Sequence, residues 1–147
     1  MERLRKAAQL SLADWRVLAQ AWILFWISDL KLRIPPFRLM LALPDIATAR
    51  ESDHPLAASV LARYAWLVSV AGRYSLVRST CLKEALVLSS LLERRGIMTQ
   101  LRIGVARQDG RFKAHAWLER NGQTIPGMPG PDGYEPLVPH QEEMRAS

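Results

Sequence analysis

The spacing of apolar residues changes once along this chain, at Gly96, and that change constrains the fold more than any other feature. Before it, apolar residues recur every three or four positions. After it, they alternate with polar ones. The first spacing belongs to helices with one buried side and the second to half-buried strands. Helices followed by an antiparallel meander define an α+β chain.

The helical part reads as three segments. Ser11 caps a run to about Arg33, in which Leu12, Trp15, Leu18, Trp22, Phe25 and Trp26 recur at helical spacing and which Pro35-Pro36 ends. Phe37 to Leu43 is a short apolar segment closed by Pro44, and Ala47 to His54 is a polar connection. A second helix starts at Asp53, with Pro55 in its first turn, and Gly72 is its expected stop. Leu56, Val60, Leu61, Tyr64, Leu67 and Val68 share its apolar face. A third helix runs from about Thr80 to Arg95, with Leu82, Ala85, Leu86, Ser89 and Leu92 on its packed side and Gly96 as terminator.

The period of two covers Thr99–Ala106 and Phe112–Arg120, and Gln123–Ile125 begins a third strand. Asp109-Gly110 and Asn121-Gly122 are the hairpin signals between them. Pro126 to Pro131 is rich in Pro and Gly, Tyr134 to Leu137 docks back, and residues after His140 fray. With 147 residues the chain is expected to be a single domain: a helical part over 1–50, a mixed core over 53–138 and a tail over 140–147.

Composition narrows the class. A single cysteine excludes an internal disulfide framework and any zinc site built on paired cysteines. The net charge of +6 invites a nucleic-acid reading, but the positive charges are scattered, so no nucleic acid is expected and an acidic peptide or protein is the better partner. No Gly-rich phosphate loop is present, and no cofactor or metal is expected. Val17–Ser28 is uncharged and apolar but too short for a membrane span, which needs about 20 apolar residues. It reads as a buried helix, with a helix lying on a membrane surface as the alternative. Trp15, Trp22 and Trp26 are core or partner interface; a face too apolar to be covered by 147 residues would be a docking surface. Without an export signal and with one thiol, the cytoplasm is the expected compartment.

The chemistry centres on Cys81, at the expected start of the third helix after Ser79-Thr80. Helix N-termini favour a thiolate, the nucleophilic form of cysteine. His115 lies mid-strand between Ala114 and Ala116, which let another element come close. A nucleophilic cysteine and a histidine on a following strand form a recurring catalytic pair. The competing readings are a small buried thiol and a satisfied core histidine.

Taken together, Cys81-Leu82-x-x-Ala85-Leu86, Leu91-Leu92-Glu93-Arg94-Arg95-Gly96-Ile97, Ile103-Gly104-Val105, Phe112-x-Ala114-His115-Ala116-Trp117-Leu118-Glu119 and Gly122 resemble the transglutaminase-like leader peptidases of lasso-peptide biosynthesis, over about residues 55–138. The resemblance implies a papain/transglutaminase-like core and a Cys-His-Asp cysteine protease. It implies removal of the leader from a ribosomally made precursor, a separate leader-binding protein and a macrolactam cyclase as partners. Cys81 becomes the nucleophile and His115 the general base and acid.

The third member departs from the family. Its Asp lies about twelve residues beyond the His, where this chain has Gly127; pairing across Asn121-Gly122 puts Gly127 near Ala116. Asp132 is the expected replacement, with a backbone carbonyl, a water or Glu135 as alternatives and a plain turn residue as the competing reading of Asp132. Glu119 shares His115's face but lies four residues away, roughly 13 Å. The Cys81 N–H is a sensible oxyanion donor. Trp117 reads as core, or as a wall beside the imidazole. Two other functions compete: acyl transfer to an amine, and a non-catalytic basic accessory domain binding a peptide, membrane or nucleic acid.

Overall fold

The computed structural model describes residues 10–33, 57–76 and 78–137. The segments expected at Phe37–Leu43 and Ala47–His54, the start of the second helix at Asp53 and the tail beyond His140 lie outside them. Three helices precede the sheet: α1 (Leu12–Arg33), α2 (Ala58–Arg73) and α3 (Cys81–Glu93). The strands are β1 (Gln100–Gln108), β2 (Arg111–Arg120), β3 (Gln123–Thr124) and β4 (Glu135–Pro136). They form one antiparallel sheet in the order β3-β2-β1-β4.

Local chemistry explains most boundaries. Ser11 caps α1 reciprocally: Asp14 N–H donates to Ser11 Oγ at 3.2 Å, and Ser11 N–H donates to Asp14 Oδ2 at 2.9 Å. Gly96, at φ +75°, ends α3, with Gly96 N–H bonded to the Glu93 carbonyl and Ile97 N–H to that of Leu92. Both hairpin dipeptides hold positive φ throughout: 53° and 74° at Asp109-Gly110, 52° and 72° at Asn121-Gly122. That is the twist a two-residue β-turn requires.

Gly72 behaves differently from its expected role. It does not stop α2, which continues to Arg73. A Cβ there would lie 2.7 Å from Ser79 Oγ and 3.1 Å from the Phe25 ring, so the glycine marks where α1, α2 and the approach to α3 converge. The inward face of α1 also differs from the expected one. Val17, Ala21, Leu24 and Phe25 are buried, whereas Leu12, Trp15, Trp22 and Trp26 are exposed. The helix is apolar on every side, so spacing alone does not select the buried one.

The core joins α1, α2 and α3 to one face of the sheet, through Leu61, Leu67, Leu88, Leu92, Leu118 and Ile125. Cross-strand register places Leu101 opposite Leu118 on that face. The other face carries Arg102 opposite Trp117 and Gly104 opposite His115.

Two ion pairs tie α1 down. Arg63 on α2 grips Asp14 through both Nε and Nη2, and Lys83 on α3 reaches Asp29 at 2.5 Å. The Arg63 guanidinium holds the Asp14 carboxyl well below the usual carboxylate range, and the Lys83 ammonium lowers that of Asp29. A depressed folded-state pKa adds stability that is whole above the unfolded value of 3.8 and is lost as pH falls through the folded value. Urea midpoints are therefore expected to fall on acidification below about pH 4, and Asp29→Asn to flatten part of that fall. An unchanged acid slope in the variant would refute the assignment.

Candidate active site

Cys81 is the first residue of α3 and is half-buried. Three contacts fix the segment before it. Thr80, the N-cap, accepts the Lys83 N–H on Oγ1 at 3.3 Å. Ser79 Oγ donates to Glu84 Oε1 at 2.8 Å. The Lys83 ammonium, buried and paired with Asp29, also donates to the Arg78 carbonyl at 2.9 Å. A buried lysine two residues past the cysteine was not legible as a structural clamp, because lysines are rarely fully buried unless paired. First-turn N–H groups, Cys81's included, have no acceptor within a helix and point past its tip.

β1 returns along α3. The Ser89 and Thr99 hydroxyls meet at 3.0 Å, near the C-terminal half of the helix. From there Cys81 lies eight residues back, roughly 12 Å at 1.5 Å per residue. Four to five strand residues cover about 13–16 Å and reach Gly104, the cross-strand partner of His115. Cross-strand register sets His115 on the face of the sheet opposite the one that packs against α3 through Leu118. Among the described residues no hydrogen bond joins Cys81 Sγ to the imidazole; in unliganded enzymes such bonds are often long and tighten with substrate.

His115 is held on three sides. Its ring stacks on Trp117 with centroids 6.0 Å apart and tilts against Tyr134 at 5.1 Å. Its Nε2 lies 3.2 Å from the Pro129 carbonyl oxygen. A carbonyl only accepts, so Nε2 carries the proton and Nδ1 is the acceptor of the neutral ring. The group at hydrogen-bond distance from the ring is thus a backbone carbonyl, one of the alternatives to Asp132, and among the described residues no hydrogen bond joins Asp132 to the imidazole. Asp132 is exposed in a turn closed by Tyr134 N–H on the Pro131 carbonyl, with Gly133 at φ +77°.

Gly127 also departs from its expected place. The ladder beyond β3 ends with Ile125 N–H on the Leu118 carbonyl, and a turn closed by Met128 N–H on the Ile125 carbonyl follows. Gly127 stands at φ +86° against α2, where a Cβ would lie 3.2 Å from the Ala62 carbonyl oxygen and 3.3 Å from Ala62 Cα. An aspartate there would have a strained backbone and press on a helix. Gly127→Asp is expected to lower stability by about 2–4 kcal/mol without raising turnover, seen as a lower urea midpoint. Asp132→Asn should leave turnover within about threefold.

Behind the histidine, Trp117 is fully buried, and its Nε1 donates to Glu119 Oε1 at 2.8 Å. Glu119 Oε2 accepts from Arg102 Nε at 3.0 Å. Gly104 makes room for this layer. A Cβ there would lie 2.9 Å from both the Trp117 ring and the Glu135 carbonyl oxygen of β4. Glu119 therefore supports the wall behind His115 and is spoken for.

Comparison with protein families matches residues 24–139 to the transglutaminase-like superfamily, a span that takes in Cys81, His115 and the loop over the imidazole. Comparison with curated proteins and with solved structures returns no match. Three helices followed by a four-stranded antiparallel sheet agree with a transglutaminase-like α+β core. The chain belongs to the transglutaminase-like superfamily, whose members are usually cysteine proteases.

Proposed function

We propose that this chain is a cysteine endopeptidase that removes the leader from a ribosomally made lasso-peptide precursor. The observation that carries the reading is the His115–Pro129 hydrogen bond, which fixes the tautomer with Nδ1 free to take a proton. In the proposed reaction the Cys81 thiol gives its proton to Nδ1 and the sulfur attacks the scissile carbonyl. The proton then passes to the departing amine as the C–N bond breaks. Water, activated by the same nitrogen, hydrolyses the thioester and restores the thiol. The Cys81 N–H at the tip of α3 is suited to the oxyanion.

The neutral Pro129 carbonyl orients the ring but gives the imidazolium no counter-charge, unlike an aspartate. A separate leader-binding protein and a macrolactam cyclase are the partners this reading expects. The test is mass spectrometry of a synthetic precursor incubated with the protein. Two fragments whose masses sum to the precursor plus one water support the proposal. An amine adduct at the cut carbonyl would instead establish acyl transfer, and an intact precursor, with or without the leader-binding protein, would refute the protease reading.

A further inference from the structure

The outward side of α1 is the largest feature that the catalytic reading leaves unused. Trp15, Trp22, Ile23, Trp26, Ile27 and Leu30 are all exposed there, Ile23 by 61% and Trp26 by 52%. At about 100° per residue these positions form one stripe along the helix, opposite the buried Val17, Ala21 and Leu24. Single exposed apolar residues are ordinary, but a continuous stripe of this kind marks a contact surface.

The charges on the stripe indicate its partner. The same angular reckoning places Arg16 and Arg33 inside it, one near each end, and both are exposed. Of the acids of α1, Asp14 lies toward the buried side and is held by Arg63, while Asp29 lies at the edge of the stripe beside Trp22 and is held by Lys83 and Arg33. The outward face is therefore apolar and rich in tryptophan, with Arg16 as its cation near one end and the Arg33–Asp29 pair at the other, on a chain of net charge +6. An anionic lipid surface complements both features: indole rings favour the boundary between headgroups and acyl chains, and arginines favour acidic headgroups.

We infer that α1 docks this protein onto anionic membrane surfaces, lying in the interface plane with its tryptophan stripe toward the lipid. Among the described residues no helix is long and apolar enough to cross a membrane, so the association is peripheral. This inference is independent of the proposed protease activity.

The test is co-flotation of the full chain with vesicles of phosphatidylcholine alone or mixed with phosphatidylglycerol, with tryptophan emission as a second readout. The wild type is expected to bind the mixed vesicles with a blue shift, to bind phosphatidylcholine far less and to release as salt is raised. The double variant Trp22→Gln/Trp26→Gln is expected to bind about tenfold or more weakly, and Arg16→Glu about tenfold more weakly. Both substitutions are on exposed positions, and circular dichroism checks that the fold is kept. Absence of binding to mixed vesicles, equal binding to both vesicle types, or variants that bind like wild type would each overturn the inference. So would a dimer in solution that the tryptophan changes dissociate while vesicles remain unbound.

Discussion

Cys81→Ala is expected to reduce precursor cleavage by about 10³-fold or more while leaving the thermal midpoint within a few degrees of wild type. Removing the nucleophile of a covalent mechanism leaves only binding and oxyanion stabilisation. The structural cost is small because alanine suits the first turn of a helix, and none of the contacts fixing that turn uses the sulfur: Thr80 meets the Lys83 N–H, Ser79 meets Glu84, and Lys83 meets Arg78 and Asp29. Cleavage assays and thermal unfolding on the same preparation separate the two effects. Full activity in the variant would remove Cys81 from the chemistry. Loss of both activity and fold would instead make it a packing residue.

The largest change in stability is expected from Arg102→Met. Glu119 is 4% exposed and accepts from both Arg102 and the Trp117 indole. Replacing the guanidinium by a thioether of similar length removes the Arg102 side of a buried ion pair, at about 3–5 kcal/mol. Urea unfolding would show this as a large drop in midpoint. Because Trp117 stacks on His115, turnover should fall too, beyond what the folded fraction explains. A midpoint shift below about 1 kcal/mol would show that the pair is dispensable.

Much of this architecture was legible in the sequence. The change of period at Gly96, the two hairpin dipeptides and the caps at Ser11, Thr80 and Gly96 depend on residues close together in the chain, and each gave the element observed. What escaped depends on contacts between distant segments. Gly72 resembled a helix stop because a glycine reads the same whether it ends a helix or lets another element approach. The buried side of α1 was obscured by its apolar residues all round. Lys83 and Glu119 find their partners 54 and 17 residues away. The group beside His115 was hardest to read, since a carbonyl belongs to every residue and no letter announces it. The resemblance expects an aspartate where the chain has Gly127, and only the fold brings Pro129 to the imidazole.

The stretch from Pro126 to Tyr134 is anchored at one end by the Ile125–Leu118 bond and at the other by β4, whose hold on β1 is two residue pairs and the Leu137–Ile103 bond. Both the Pro129 carbonyl and Tyr134 lie on this strap. An extended peptide that annealed to the outer edge of β1 would compete with β4 and unlatch both contacts at once. Both loop contacts to the imidazole therefore depend on how firmly one short strand is held at the sheet edge.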